Sequence, residues 1–281
     1  MRLCSMPIDF RVPPNDGDWG PHTREVKAAR GAVCYGALAA HFGSDSPRIL
    51  DWRVDRLAPY GKDDDEKDLS GSNKYLRWRQ GKSLPHPASI ALVSQRSGGS
   101  VNLAYWKDLP LWELLTPTAP AIARLNHLLE LMPMNIRRHL FVDGAPDRRG
   151  QFHHGWPEGD QIRAIRNQAS LNALIALLCL ARKGEVLEDH PRHYFPSLCA
   201  FDLFPRVLYS HRALRYRWEG LFACIERLFW NRIYTSGYQG VFPIDSVHEG
   251  LAALDADPDA DLPLQSGKNA RRNLGLSEAL R

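Results

Sequence analysis

QIRAIRNQASLNALIALLCLARK, residues 161–183, is apolar at almost every position of its second half, where only Ser170 and Asn172 interrupt the run from Ala169 to Ala181. A helix that is apolar all round must be covered on more than one side. The run is too short to cross a bilayer, which takes about 20 residues. The expectation is a core helix over 161–183, and a core helix requires other helices around it.

Those partners are visible on either side. Downstream, Leu214, Trp218, Leu221, Phe222, Ile225, Leu228 and Phe229 recur at helical spacing, with Arg212, Arg215, Glu219 and Glu226 on the opposite face, so a second long helix is expected over 211–234. Between the two, the chain after Pro191 is rich in aromatics and arginine. Upstream, Ile122, Leu125, Leu129 and Met132 make a helix that Pro133 ends. The 143–160 stretch, with its glycines and prolines, reads as a loop, and residues 245–254 as a last short helix.

The N-terminal half gives shorter elements. Residues 1–22 hold four prolines and Asn15-Asp16-Gly17, and read as an irregular arm. Thr23 to Phe42 reads as an alanine-rich helix that Gly31 and Gly36 weaken. Ser46-Pro47 starts a helix with Leu50, Val54 and Leu57 on one face and Pro59 as its stop. The charged run over 60–72 reads as a solvated loop or weak helix, and 73–81 and 87–96 as two short helices. Val101 to Trp106 fits either a strand or a helical turn, and Pro110 to Leu115 one apolar turn. Thr116-Pro117-Thr118-Ala119-Pro120 is a linker. With no alternating strand series, the expected class is all-α. A small helical part over 23–115 would precede a larger bundle over 118–254, and 255–281 would form a disordered tail.

The bulk numbers agree with a folded chain. At 281 residues it can bury a full core, and its hydrophobic share of 44% is ordinary for a globular protein. The net charge of +4 permits a polyanionic partner without demanding one. Arginine outnumbers lysine 28 to 8, which favours forked contacts to phosphate if an anion is bound. Cys4, Cys34, Cys179, Cys199 and Cys224 stand singly, the pattern of reduced thiols in a cytosol. The start, Met-Arg-Leu-Cys-Ser-Met-Pro, offers no apolar leader. The chain therefore reads as cytoplasmic, with no membrane partner.

Residues 73–85, Asn-Lys-Tyr-Leu-Arg-Trp-Arg-Gln-Gly-Lys-Ser-Leu-Pro, resemble the close of the helix-turn-helix in the Cro/repressor-like (XRE) family, and the likeness extends over 73–97. Trp78, Gly81, Lys82 and Pro85 fall where that family places an aromatic or aliphatic residue, Gly-Lys and a proline, although Arg79 stands where it usually has an acid. The wider block from Lys74 to Leu115 resembles a loose group of bacterial proteins of no assigned activity. The resemblance implies that Trp78 packs inward and that Gly81 ends the helix in a left-handed conformation. It also implies that Lys74, Arg77, Arg79 and Lys82 face DNA, with some on phosphates and some on base edges. The bland alternative makes Tyr75 and Trp78 core anchors and the cations a wet face.

Other constellations are weaker. Arg206 and His211 have the Arg-x4-His spacing of HEPN-type ribonucleases, in which the arginine would hold the scissile phosphate and the histidine would move protons. With 28 arginines and 11 histidines in 281 residues, about one such pair arises by chance. His153-His154 and Glu188-Asp189-His190-x-x-His193 could touch a metal but lack zinc-site spacing. Asp255, Asp257, Asp259 and Asp261 alternate as in a calcium loop, yet Ala260 and Ser266 occupy the glycine and glutamate positions. There is no P-loop and no nucleophile elbow. No metal or cofactor is called for, and catalysis is the lesser expectation. The leading one is a regulator-like DNA-binding protein in which the bundle dimerises or meets a partner. The alternatives are a helical ribonuclease or toxin-like defence effector, and a non-catalytic interaction module.

Overall fold

The computed structural model describes residues 20–56 and 73–264, except 233, 236, 237, 240 and 241. The described chain is all-α in class. Its helices in chain order are α1 (Gly20–Phe42), α2 (Pro47–Leu50), α3 (Lys74–Arg79), α4 (Pro87–Arg96), α5 (Leu103–Lys107), α6 (Pro110–Leu114) and α7 (Ile122–Glu130). They continue with α8 (Met134–Arg137), α9 (Gly159–Arg166), α10 (Leu171–Val186), α11 (His190–Ser210), α12 (Arg212–Arg215), α13 (Trp218–Leu228) and α14 (Ile244–Ala256). A π-helical turn, Asp51–Asp55, continues α2. The described sheet structure is two paired two-residue strands, β1 (Tyr234–Thr235) and β2 (Tyr238–Gln239).

The chain forms two compact units. One comprises the described residues of 20–112 together with His211–Leu221, and the other those of 113–210 and 222–264.

The first unit is organised around α1. The two glycines that weaken this helix in sequence are places where other elements approach it closely. A Cβ on Gly31 would lie 3.1 Å from the Gly81 Cα, and one on Gly36 would lie 2.5 Å from the Tyr216 Cβ and 2.6 Å from the Ala213 carbonyl oxygen. Gly31 therefore seats the end of α3, and Gly36 seats α12. The helix-propensity cost of each glycine, about 1 kcal/mol, is offset by packing that no side chain would permit. This docking explains why 211–221 clusters with the N-terminal residues although it lies some hundred residues downstream of them.

The second unit is built on the antiparallel pair α10 and α11. Every residue from Leu171 to Glu185 except Asn172 is buried. Each of the leucines and the isoleucine involved contributes about 1.5–3 kcal/mol of transfer free energy. Gly184 permits the tight turn into α11, since its Cβ would lie 2.4 Å from the His193 backbone nitrogen. Helices α7, α8 and α9 lie on α10, and α14 lies on α11. Trp230 is fully buried among Phe201, Phe204, Phe222 and Phe242, and donates its indole N–H to the Ser197 carbonyl at 3.0 Å.

Several expectations need correction. The 161–183 segment is two helices, not one. Ala169 takes a left-handed φ of 47°, and the Ser170 hydroxyl caps α10 by accepting from the Ala173 N–H at 3.2 Å. The 211–234 segment breaks at Tyr216, which is extended, and at Arg217, whose φ is +52°. All seven stripe residues are nonetheless buried. The arm expected over 1–22 ends earlier, because Gly20, Pro21 and a fully buried His22 open α1; residues 1–19 lie outside the described ones. The tail expected over 255–281 is in part ordered: Asp255 and Ala256 finish α14, and Leu262 is buried, while 265–281 lie outside the described residues. The loop or weak helix expected over 60–72 also lies outside them.

No element was assignable in sequence to 191–210, which forms most of α11. Pro196 and Pro205 stand inside that helix, and each removes a backbone hydrogen bond. Burial of Leu198, Phe201, Phe204 and Leu208 outweighs the loss. Gly250 of α14 fits against Pro205, whose ring lies 3.1 Å from where a Cβ would be.

Cys34, Cys179, Cys199 and Cys224 are buried free thiols. Among the described residues, no helix is long and apolar enough to cross a membrane.

Candidate nucleic-acid interface

Helix α3 is short because its C-terminus is capped at once. The Lys82 N–H donates to the Arg77 carbonyl at 2.8 Å and the Gly81 N–H to the Trp78 carbonyl at 2.9 Å, the pairing of a Schellman motif. Gly81 supplies the left-handed residue at φ +67°, and its Cβ would fall 2.3 Å from the Ala28 Cα. One glycine thus ends the helix and lets it touch α1. Tyr75 and Trp78 point inward, at 0% and 2% exposure, with their rings edge to face at 5.0 Å. Pro85 is buried, and α4 begins two residues later.

The four expected contact cations divide into two pairs. Lys74 is half-buried and places its Nζ 2.7 Å from the Asp55 carboxylate, the same oxygen that the Tyr75 hydroxyl approaches at 3.4 Å. Burial and that carboxylate push the Tyr75 pKa far up, so the phenol stays a donor. Arg79 is half-buried and donates to the Asp45 carbonyl at 3.4 Å. Arg77 and Lys82 are exposed. The outward charge of α3 and its cap therefore rests on Arg77 and Lys82, while Lys74 and Arg79 tie α3 to the segment before it.

That segment carries residues that sequence reasoning passed over. Leu50 and Val54 are fully buried, and the opposite face shows Arg48, Ile49, Trp52, Arg53 and Arg56, all exposed. The signal was present in sequence, since the apolar positions 50 and 54 fix which residues face water.

Charge separates the two units. The described residues of the first carry 15 Lys and Arg against 6 Asp and Glu, a balance of +9. Those of the second carry 13 against 17, a balance of −4. The mild +4 of the whole chain conceals this asymmetry.

The alternative catalytic residues have local partners of their own. Arg206 belongs to the second unit and donates from Nη2 to the Ala260 carbonyl at 2.6 Å. It lines a cleft of about 320 Å³ with Arg166, Asp202, Asp261 and Leu262, in which two arginines meet two aspartates. His211 belongs to the first unit, stands edge-on to Trp106 at 6.0 Å, and has its pKa lowered by burial.

The histidine clusters are structural in their contacts. His154 Nε2 lies 2.7 Å from Glu130, and His153 lies 3.6 Å from Asp147. His193 is fully buried between the carbonyls of Ala181, at 3.1 Å, and Phe229, at 3.3 Å. Burial lowers its pKa to about 4. In the aspartate run, the Asp257 carboxylate accepts from the Asp259 N–H at 3.0 Å, closing a local turn.

No protein-family model, curated protein or solved structure matches this chain.

Proposed function

We propose that the chain is a regulator-like DNA-binding protein whose contact surface belongs to the first unit, with Arg77 and Lys82 as the contact groups of α3. The observation that carries this reading is the charge balance of +9 on the described residues of that unit, together with the exposure of Arg77 and Lys82 beside a glycine-capped turn. A surface of that charge gains free energy by releasing the counterions condensed on a phosphate backbone. Lys74 and Arg79, with their partners inside the unit, hold α3 in place and leave Arg77 pointing to solvent. The second unit, net acidic, supplies partner contact or dimerisation and not a phosphate surface.

Fluorescence anisotropy with a labelled duplex across a salt series tests the reading. The expected result is binding that weakens steeply with salt. Arg77→Ala and Lys82→Ala should each lower affinity and each reduce the slope of log K against log salt by about 1. Duplex binding that is absent at low salt, or a slope unchanged in both variants, overturns it.

A further inference from the structure

The segment from Pro47 to Arg56 buries one narrow apolar edge, Leu50 and Val54, half-buries Pro47, Asp51 and Asp55, and turns Arg48, Ile49, Trp52, Arg53 and Arg56 outward. Trp52 sits in the middle of that outward face at 50% exposure. It is the one exposed tryptophan among the described residues; Trp78, Trp112 and Trp218 of the same unit are 2–5% exposed. An indole left half in water forgoes a large burial gain, although this unit has a core in which Trp78, Trp112 and Trp218 are buried and Trp106 is half-buried.

Trp52 has the half-buried Asp51 on one side and the exposed cations Arg53 and Arg56 on the other. Arg53 is exposed and held by a hydrogen bond from Nη1 to the Phe42 carbonyl. Arg56 is exposed and takes a left-handed φ of 55°, which ends the π-helical turn directly after Trp52 and its neighbours. Asp55, the nearest acid in sequence to Arg56, is engaged by Lys74 and Tyr75. The outward face thus presents a flat aromatic surface flanked by guanidinium groups.

We infer that Trp52 is a stacking platform for an unpaired base, with Arg53 and Arg56 on the adjoining phosphates, so that the first unit prefers single-stranded nucleic acid over a closed duplex. The inference rests on the nucleic-acid reading of this unit. A duplex hides the faces of its bases in the stack and offers an indole nothing to lie on. An unpaired base exposes its face, and base–aromatic stacking with flanking charge is how sequence-tolerant single-strand sites gain affinity. An anionic lipid surface would also attract the arginines. However, the apolar part of this face is only Ile49 and Trp52, far short of the long stripe with which interfacial helices insert.

The test compares labelled oligo(dT) with a blunt duplex of equal length, using the full chain at one salt concentration. W52A is expected to weaken oligo(dT) binding about tenfold and to leave duplex affinity and the urea midpoint unchanged, while W52F keeps most of the binding. If W52A leaves oligo(dT) affinity unchanged, or lowers both ligands equally, the platform is overturned while duplex binding preserves the reading beneath it. Failure to bind either nucleic acid at low salt overturns both. Trp52-dependent binding to phosphatidylserine vesicles without oligo(dT) binding assigns the face to lipid and overturns the inference.

Discussion

Arg182 in the second unit and Arg77 in the first do opposite work. In the second unit, Arg182 is fully buried: Nη1 lies 2.6 Å from Glu185, Nε donates to the Leu114 carbonyl at 2.8 Å, Nη2 donates to the Thr116 carbonyl, and the guanidinium lies 5.3 Å from the Phe229 ring centre. Arg232, itself buried, takes the other carboxylate oxygen of Glu185 at 2.8 Å. In the first unit, Arg53, Arg56 and Arg77 face water. A guanidinium can enter a core only when its donors meet acceptors there, and the α6 carbonyl end and Glu185 supply them. The same residue type is thus an interior bracket at Arg182 and a surface charge at Arg77, and composition alone does not distinguish the two.

Breaking the bracket should have the largest effect. Arg182→Ala leaves the Leu114 and Thr116 carbonyls without their donor and removes one of the two cations facing Glu185. A loss of about 3–5 kcal/mol in urea unfolding is expected. Arg77→Ala should change stability by less than about 0.5 kcal/mol. Equal losses in the two variants would erase the distinction.

A pH titration of stability sharpens the comparison next. His193 lies against the same interior, facing Glu185 and Arg232, and its pKa is lowered to about 4 by burial. The folded state then holds fewer protons than the unfolded state between about pH 6.5 and 4. The contribution is fully present above 6.5 and is lost as pH falls towards 4, about 3 kcal/mol in all. Glu185 acts at lower pH. Burial raises its pKa, but Arg182 and Arg232 together outweigh burial and leave it below the ordinary glutamate value. Its contribution is present above that ordinary value and is lost below it as the carboxylate protonates. His193→Gln should flatten the upper part of the acid limb, measured by urea midpoints across pH, and leave the lower part. A limb of unchanged shape would remove His193 from the account.

The smallest effect separates the cations of α3. Lys74 pairs with Asp55 with a quarter of its side chain exposed, so Lys74→Ala should cost less than about 1 kcal/mol. It should also leave the salt dependence of duplex binding unchanged, whereas Arg77→Ala reduces it. A reduced slope in Lys74→Ala would return that residue to the contact set.

The candidate interface was only partly legible in sequence. Gly81 and Trp78 announced a capped helix with an inward indole, because a left-handed cap and a buried aromatic leave local marks. Nothing local separated Lys74 and Arg79 from Arg77 and Lys82. That division depends on Asp45 and Asp55, which only the packing of α2 and its π-helical turn against α3 brings within reach. Trp52 was legible in principle, as the residue facing away from Leu50 and Val54.

By itself the sequence determined the helical class, the buried faces of most helices and the turn at Gly81, since periodicity, caps and glycine act within a few residues of one another. Tertiary structure decided which glycines of α1 are contact points, that proline-bearing α11 is a helix at all, and that 211–221 belongs with the N-terminal residues. It also decided which arginines are interior. These outcomes depend on partners far along the chain, and burial against such partners outweighs the local preferences that a sequence displays.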